Sequence, residues 1–465
     1  MFDLRTRFRP LAVVATACLL TASVSSAQSV QWPPSLPGAK EGTVTLSGKR
    51  LLQIPASLAE QMEQEGVVKF DVAKTPPKVD FAYHRDLGED AVSRRLWSSW
   101  GDICLASDGA VYCAIGDHGN AVGGDARCFI YKWDPKTRQL QQIVDMNQVV
   151  PPRDGQPAWS KVHAKIDEGP DGAIYFCCTL NDGNRAIQPE YHWNKKLPGG
   201  QIYRYDPKSG ETTVFANLPP KRCTATSLVD AERGIWWCNL EAGPNGLWGL
   251  DLKTKEVVYE APGGSMVFNR NFALGRDGSV YFNGEGGIWK YDLQSGKLAA
   301  TGVSMGESPG MRSSTRESKD GVIYGTTHKT NELFAFDTKQ GKVELLGPTW
   351  LTGQYTTVSM LSPDERFVYY LPGSHGKAWQ YGTPVVQYEI ATGRRKVLAF
   401  LAETMDKKLG FVPGGTYGAK LSDDGSTLYV NFNGHAADRQ RPEKMKPIGF
   451  GLCGFAAIHI PASER

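Results

Sequence analysis

The sequence predicts an all-β protein folded as a seven-bladed β-propeller, and two observations support this prediction. First, a tight turn followed by an apolar, aromatic strand recurs along the chain, as in residues 170–172 followed by residues 173–176. Proline fixes φ in such a turn, and glycine takes a positive φ without a Cβ clash. Second, most copies are followed by another hairpin, which has an acidic turn, so that a repeat holds four strands. Four strands in a repeat of roughly 40 to 60 residues are typical of propeller blades.

The seven copies share a short polar turn before a strand rich in Val, Ile, Tyr and Phe. Their turns lie at Asp108, Asp171, Arg233, Asp277, Asp320, Asp364 and Asp424. The second hairpins lie at residues 129–137, 202–210, 247–254, 288–296, 333–341 and 386–393. One four-stranded sheet cannot bury both of its faces, so blades stack around an axis, and closing the ring removes most exposed edges.

Residues 28–86 precede the repeats, and we predict that they help to close the ring. Residues 43–46 and 67–72 have the composition of strands, and residues 56–65 between them have that of a helix. The last repeat supplies only three strands. We therefore predict that this N-terminal extension adds the missing outer strand to a propeller formed by residues 87–465.

The first 27 residues have the pattern of a secretory signal peptide. Arg5, Arg7 and Arg9 precede an apolar run at residues 11–20, and small residues lead to a cleavage site after Ala27. The run is too short to span a membrane, so we expect a periplasmic or extracellular protein without a membrane span. The net charge of +3 shows no marked basic excess, which argues against nucleic acid as a partner. We expect a monomer.

Propeller topology sorts the polar residues into one candidate site. In this fold the start of each inner strand and the end of each second strand lie on the same face of the ring. The candidates for catalysis are His118, His163, Arg312, Arg270 and Tyr417. The candidates for substrate binding are Lys165, Trp100, His328, His375, Trp379, Tyr381, Lys420 and His435.

This set of side chains suits an acidic oligo- or polysaccharide, because cations hold carboxylates and aromatic rings give sugars a flat apolar face. β-Elimination at a uronic acid needs a cation at the carboxylate, a base for the α-proton and an acid for the leaving oxygen. We assign His118 and His163 to acid–base chemistry and Arg312 to the carboxylate, with Arg270 and Tyr417 in support. The sequence therefore favours a polysaccharide lyase.

The repeat region resembles secreted bacterial β-propellers whose first blades carry three short motifs. Here these are Trp100-Gly101-Asp102, Gly116-Asp117-His118 and Lys161-Val162-His163. More distantly, the layout is similar to polysaccharide-lyase propellers that act on ulvan and on rhamnose–glucuronate linkages. That resemblance implies elimination by histidine, tyrosine and arginine on the ring face, although no complete catalytic motif matches residue by residue. Fold alone does not assign an activity.

Two alternatives remain open. A lactonase or hydrolase of the gluconolactonase type is suggested by the Glu-Gly-Pro segment at residues 168–170. Such enzymes use a divalent metal, usually calcium, and the side chains that could supply oxygen ligands are Asp102, Asn239, Asn271 and Asn283. Their usual six-bladed form differs from the repeat count here. The other alternative is a non-catalytic propeller that binds a glycan or a protein.

Overall fold

A computed structural model of the chain confirms the predicted propeller, because seven small, mainly antiparallel sheets are arranged in a ring. It describes residues 31–64, 66–88, 97–101, 103–117, 126–151, 159–179, 200–220, 222–241, 243–438 and 450–465. The predicted signal peptide therefore lies outside the described residues. None of the described helices is long and apolar enough to cross a membrane.

The N-terminal extension and the first three blades follow the chain in order. The extension holds β1 (Thr43–Leu46), α1 (Ala56–Met62), β2 (Asp71–Val72) and β3 (Lys78–Tyr83). Blade 1 holds β4 (Trp97–Ser98), β5 (Cys104–Leu105), β6 (Val111–Asp117), β7 (Cys128–Asp134) and β8 (Gln139–Asp145), followed by α2 (Met146–Val149). Blade 2 holds β9 (Lys161–Val162), β10 (Asp167–Glu168), β11 (Ile174–Thr179), β12 (Gln201–Tyr205) and β13 (Thr212–Asn217). Blade 3 holds β14 (Ser227–Asp230), β15 (Ile235–Leu240), β16 (Gly246–Asp251) and β17 (Val257–Glu260).

The last four blades complete the ring. Blade 4 holds β18 (Phe268–Leu274), β19 (Val280–Gly284), β20 (Gly287–Asp292) and β21 (Lys297–Val303). Blade 5 holds β22 (Met311–Ser314), β23 (Val322–Thr327), β24 (Glu332–Asp337) and β25 (Lys342–Pro348). Blade 6 holds β26 (Thr356–Leu361), β27 (Phe367–Pro372), β28 (Pro384–Glu389) and β29 (Arg395–Phe400), followed by α3 (Ala402–Leu409). Blade 7 holds β30 (Phe411–Leu421), β31 (Thr427–Ala436) and β32 (Leu452–His459), and short 3-10 turns lie at Lys49–Leu52, Ala378–Tyr381 and Ala462–Glu464.

An N-terminal strand closes the ring, as predicted. Strand β3 pairs antiparallel with β32 of blade 7, and β1 pairs with β3 as a fifth strand. The structure differs from the prediction in which strand does this, because β3 lies downstream of both predicted strands. Only β2 forms within residues 67–72, and it pairs in parallel with β29 of blade 6. Five of the six residues of β3 are buried, so both faces of this strand are covered.

Buried Asp80 of β3 forms hydrogen bonds that connect the closing strand to blade 7 and to blade 1. Its carboxylate accepts hydrogen bonds from His459 Nε2 of blade 7 at 3.0 Å and from Arg138 Nη2 of blade 1 at 2.6 Å. Thr45 Oγ1 of β1 donates a third at 2.6 Å. Burial opposes ionisation, but these hydrogen bonds and the charge of Arg138 outweigh it and hold the pKa of Asp80 below its ordinary value.

The hydrophobic core lies between neighbouring blades, where aromatic side chains of one sheet pack on those of the next. Trp237 of blade 3 and Tyr291 of blade 4 are both buried, with ring centroids 5.4 Å apart. Near the axis, asparagine side chains form paired hydrogen bonds to the backbone of the next blade, and we call each such pair a polar joint. Asn283 of blade 4 donates from Nδ2 to the Met311 carbonyl oxygen at 2.9 Å and accepts from the Met311 N–H at 2.7 Å. Asn433 of blade 7 makes the same pair of bonds to the backbone of Ser99 in blade 1.

We expect Asn283→Ala to lower the free energy of unfolding by about 2 to 4 kcal/mol, because it leaves the N–H and C=O of Met311 without partners in a buried joint. Chemical denaturation measures this loss. The control is Asn217→Ala on the exposed outer strand β13, which should change stability by no more than about 0.5 kcal/mol. Equal effects of the two substitutions would contradict a special role for the joint.

Candidate functional site

A pocket lies on the axis of the ring and is lined by residues from all seven blades. Six of its lining residues were predicted from the sequence: Trp100, His163, Lys165, Arg270, Arg312 and Tyr417. They come from inner strands or from the residues directly after them, in blades 1, 2, 4, 5 and 7. Their convergence agrees with the topological rule by which they were selected.

Arg312 is buried within the pocket and held by two tyrosines. Its Nε donates a hydrogen bond to the Tyr355 hydroxyl. Its guanidinium carbon lies 5.1 Å from the ring centroid of Tyr355 and 5.6 Å from that of Tyr417. Within the described part of the chain, no carboxylate lies at ion-pair distance from Arg312. Its positive charge is therefore available to an anion in the pocket.

Arg270 lies at the exposed rim of the pocket and is held by His163. Nδ1 of His163 is 2.9 Å from the carbonyl oxygen of Ala225, which can only accept, so Nδ1 carries the proton. Nε2 then accepts from Arg270 Nη1 at 2.7 Å. Burial and the positive charges of Arg270 and Lys161 hold the pKa of His163 well below its ordinary value. A neutral His163 whose lone pair is already occupied is suited to orienting Arg270 rather than to taking a proton from substrate.

Tyr417 points a hydroxyl group into this positively charged pocket. The residue is 8% exposed, and its oxygen is buried without a hydrogen-bond partner among the described residues. Burial raises the pKa of Tyr417 well above its ordinary value, although the charge of Arg312 opposes the increase. The phenol is therefore protonated at neutral pH and has its proton available to a ligand.

Two further predicted histidines lie beside Tyr355, outside the lining of the pocket. The ring centroids of His375 and His328 lie 4.4 Å and 5.9 Å from that of Tyr355. Burial, followed by the charge of Arg312, lowers the pKa of His328 to about 4. Burial and the charges of Arg312 and Arg270 also lower the pKa of His375, which stays exposed to solvent. Both imidazoles are thus neutral bases at physiological pH.

Trp100 forms an aromatic wall on one side of the pocket. Its ring centroid lies 4.8 Å from that of Tyr417, and it stacks on His163 at 6.1 Å. Nε1 is fixed by a 2.6 Å hydrogen bond to Ser98 Oγ, and Lys161 Nζ lies over the ring at 5.2 Å. The indole is therefore fixed in place and partly exposed.

Four predicted residues, Lys420, Trp379, Tyr381 and His435, do not line this pocket. Lys165 lines both this pocket and a second cavity, and Lys420 lines only the second, at the opposite ends of the inner strands. Trp379 is exposed outside the pocket, and Tyr381 packs against the apolar cluster of blade 6. His435 lies on β31 opposite Val412. His118 lies outside the described residues.

Two of the asparagines considered as calcium ligands make hydrogen bonds to the neighbouring blade. Asn283 uses both amide atoms on Met311, and Asn271 Nδ2 donates to Ser314 Oγ at 2.8 Å. Asn239 is fully buried on β15, and Asp102 lies outside the described residues. In the described ranges, no group of three or more His, Cys, Asp or Glu side chains is placed to hold a metal ion.

Sequence reasoning missed Tyr355, which contacts Arg312, His328 and His375. It directly precedes β26, so it stands at the start of an inner strand. The topological rule that selected the other residues would have found it, but no residue was taken from the inner strand of blade 6.

The comparisons with known proteins bear on the fold. No protein-family model matches the sequence, and no curated protein is significantly similar to it. A chain in the solved structure described as "Crystal Structure of Mitotic Checkpoint Complex" is similar, with a TM-score of 0.50 and 11% sequence identity. The alignment covers 86% of this chain and 95% of that chain. At this identity, the likeness shows the propeller fold alone.

Proposed function

We propose that the protein binds the carboxylate of an acidic saccharide in the axial pocket and cleaves the chain by β-elimination. The observation that carries this proposal is a pair of buried groups, the Arg312 guanidinium and the Tyr417 hydroxyl: among the described residues, the first has no carboxylate partner and the second has no hydrogen-bond partner. A ligand that supplies both a negative charge and a hydrogen-bond acceptor would satisfy both groups.

Arg312 is the carboxylate clamp in this proposal. Its Nε is occupied by Tyr355, so its two Nη groups are left to form parallel hydrogen bonds with both oxygens of a carboxylate. Arg270, oriented by His163, adds positive charge at the rim. These cations stabilise the negative charge that spreads onto the carboxylate as the α-proton leaves.

The acid is Tyr417 of the pocket and the base is His375, whose ring centroid lies 5.9 Å from that of Tyr417. Neutral His375 takes the proton from the carbon next to the carboxylate, and the electrons of that C–H bond form a carbon–carbon double bond. The bond to the leaving glycosidic oxygen breaks, and Tyr417 gives its proton to that oxygen. Solvent then returns a proton to Tyr417 and removes one from His375. We therefore assign the role of base to His375 and not to His163, because Nε2 of His163 already accepts a hydrogen bond from Arg270.

The proposal includes a secreted protein that acts as a monomer. The sequence of the first 27 residues supports export, and acidic polysaccharides are found outside the cytoplasm. Sequencing the N-terminus of the exported protein tests the predicted cleavage after Ala27, and light scattering tests the monomer.

Ultraviolet absorbance tests the reaction, because elimination leaves a double bond conjugated to the carboxylate. Purified protein is incubated with a panel of uronic-acid polysaccharides, and each carboxyl-reduced polymer serves as the neutral control. We expect absorbance to rise with at least one acidic polymer and not with its neutral match. Release of acid that stops with a chelator would favour the lactonase. Binding without either product would favour the non-catalytic propeller.

On the acid side of the pH profile, the rate should decrease only below pH 6.5, because His375 must be neutral to act as base. A lowered pKa keeps the imidazole deprotonated down to its folded-state pKa, and the rate falls as pH decreases through that value. Arg270→Gln removes one of the charges that lower this pKa and should move the limb of kcat/KM upward, toward 6.5. A wild-type limb above 6.5 would rule out His375 as the base.

A further inference from the structure

Tyr355 connects three groups of the candidate site that come from three different segments. Its hydroxyl accepts the hydrogen bond from Arg312 Nε on β22. Its ring lies edge-on to His375, which follows β27, and edge-on to His328, which follows β23. A single side chain thus contacts the carboxylate clamp and both neutral imidazoles.

The backbone of Tyr355 is fixed by the loop that carries His375. Its carbonyl oxygen accepts from the N–H groups of Gly373 at 2.9 Å and Ser374 at 3.0 Å. On the other side, Gln354 is held by Thr349, whose hydroxyl donates to the Gln354 carbonyl oxygen at 2.7 Å. The tyrosine therefore offers Arg312 a hydrogen-bond acceptor at a defined position.

A buried arginine is usually oriented by a carboxylate, and such a partner would also neutralise its charge. Arg312 has no such partner among the described residues and is held by a neutral hydroxyl group. A neutral acceptor fixes Nε without neutralising the charge of Arg312. The two Nη groups and the full positive charge can then interact with the ligand. Loss of the hydroxyl would free rotation about the end of the arginine side chain.

We propose that Tyr355 is a positioning residue that aims the two Nη groups of Arg312 at the ligand carboxylate. It acts through Arg312 and does not itself contact substrate. The inference rests on the proposed function for the identity of the ligand, but the orientation of Arg312 can be tested without any ligand.

The first test uses the free protein. Tyr355→Phe keeps the ring and removes only the hydroxyl, and Tyr381→Phe is the matched control on the neighbouring loop outside the pocket. In ¹⁵N-labelled protein, the Nε–H signal of Arg312 is identified by its loss in Arg312→Lys. We expect its exchange with water to speed up about tenfold in Tyr355→Phe and to stay unchanged in Tyr381→Phe. Unchanged exchange in Tyr355→Phe would overturn the proposal.

The second test measures binding of sodium glucuronate, with glucose as the neutral match, by titration followed with NMR. Tyr355→Phe should weaken glucuronate binding about tenfold while the protein stays folded, which circular dichroism checks. In an Arg312→Ala background, Tyr355→Phe should have no further effect, because a positioning residue acts only through its arginine. An equal loss in both backgrounds would overturn the proposal. If the wild-type protein binds glucuronate no better than glucose, carboxylate recognition fails and the exchange test alone decides the role of Tyr355.

Discussion

Arg312→Ala is expected to lower kcat/KM for an acidic polysaccharide by about 10²–10³-fold, because it removes the group that meets the carboxylate as negative charge develops. The initial rate of ultraviolet absorbance increase measures this loss. Arg312→Lys keeps the charge but cannot form the two parallel hydrogen bonds, so its rate should lie between those of wild type and Arg312→Ala. Free guanidinium should partly restore the alanine variant, because Tyr355 and Tyr417 still form the walls that hold it.

Arg316→Ala is the matched control for this prediction. Arg316 lies four residues after Arg312 in the same blade, but it pairs with Glu365 at 2.8 Å and lines the second cavity. Its loss should leave kcat/KM unchanged. If both variants lost activity equally, the effect would come from blade 5 as a whole and not from a carboxylate clamp. If Arg312→Ala kept full activity, the proposed mechanism would be wrong.

The propeller could be predicted because its determinants are local and repeated. Each blade can be recognised in the sequence by a turn, such as residues 170–172, and by the aromatic strand after it. A weakly matching copy, such as that at Arg233, is therefore supported by the six other copies. The closing strand β3 has no such support. It occurs once, it is buried on both faces, and its partner β32 lies at the other end of the chain. Periodicity in one segment cannot reveal such a pairing.

Part of the candidate site could be predicted as a set of residues, but the roles of those residues could not. Topology alone brings Arg270, Arg312 and Tyr417 to the axis, because inner strands start on one face of the ring. The role of His163 depends on which atom faces which neighbour, and the sequence carries no information on that. Lys420 illustrates a further limit: β30 continues to Leu421, so a residue near its end reaches the second cavity.

Phe81→Ala is expected to lower the free energy of unfolding by about 3 to 5 kcal/mol, a large part of the stability of an ordinary domain. Phe81 of β3 is fully buried, with ring centroids 5.1 Å from Phe411 and 5.2 Å from Tyr83. It also lies over Gly454 of β32, where an added Cβ would come within 2.4 Å of the ring. The substitution leaves a cavity at the joint that closes the ring, and chemical denaturation measures its cost.

Because β3 pairs with β32 of blade 7, this prediction also tests whether the N-terminal strand stabilises the closed ring. Lys78→Ala on the same strand removes an exposed side chain and should change stability by no more than about 0.5 kcal/mol. Deletion of residues 31–83 removes the closing strand and should leave β32 with an unpaired edge, so the protein should unfold at lower denaturant concentration or aggregate. A deletion variant as stable as the full chain would show that blade 7 needs only its own three strands. In that case, the cost of Phe81→Ala would reflect local packing rather than ring closure.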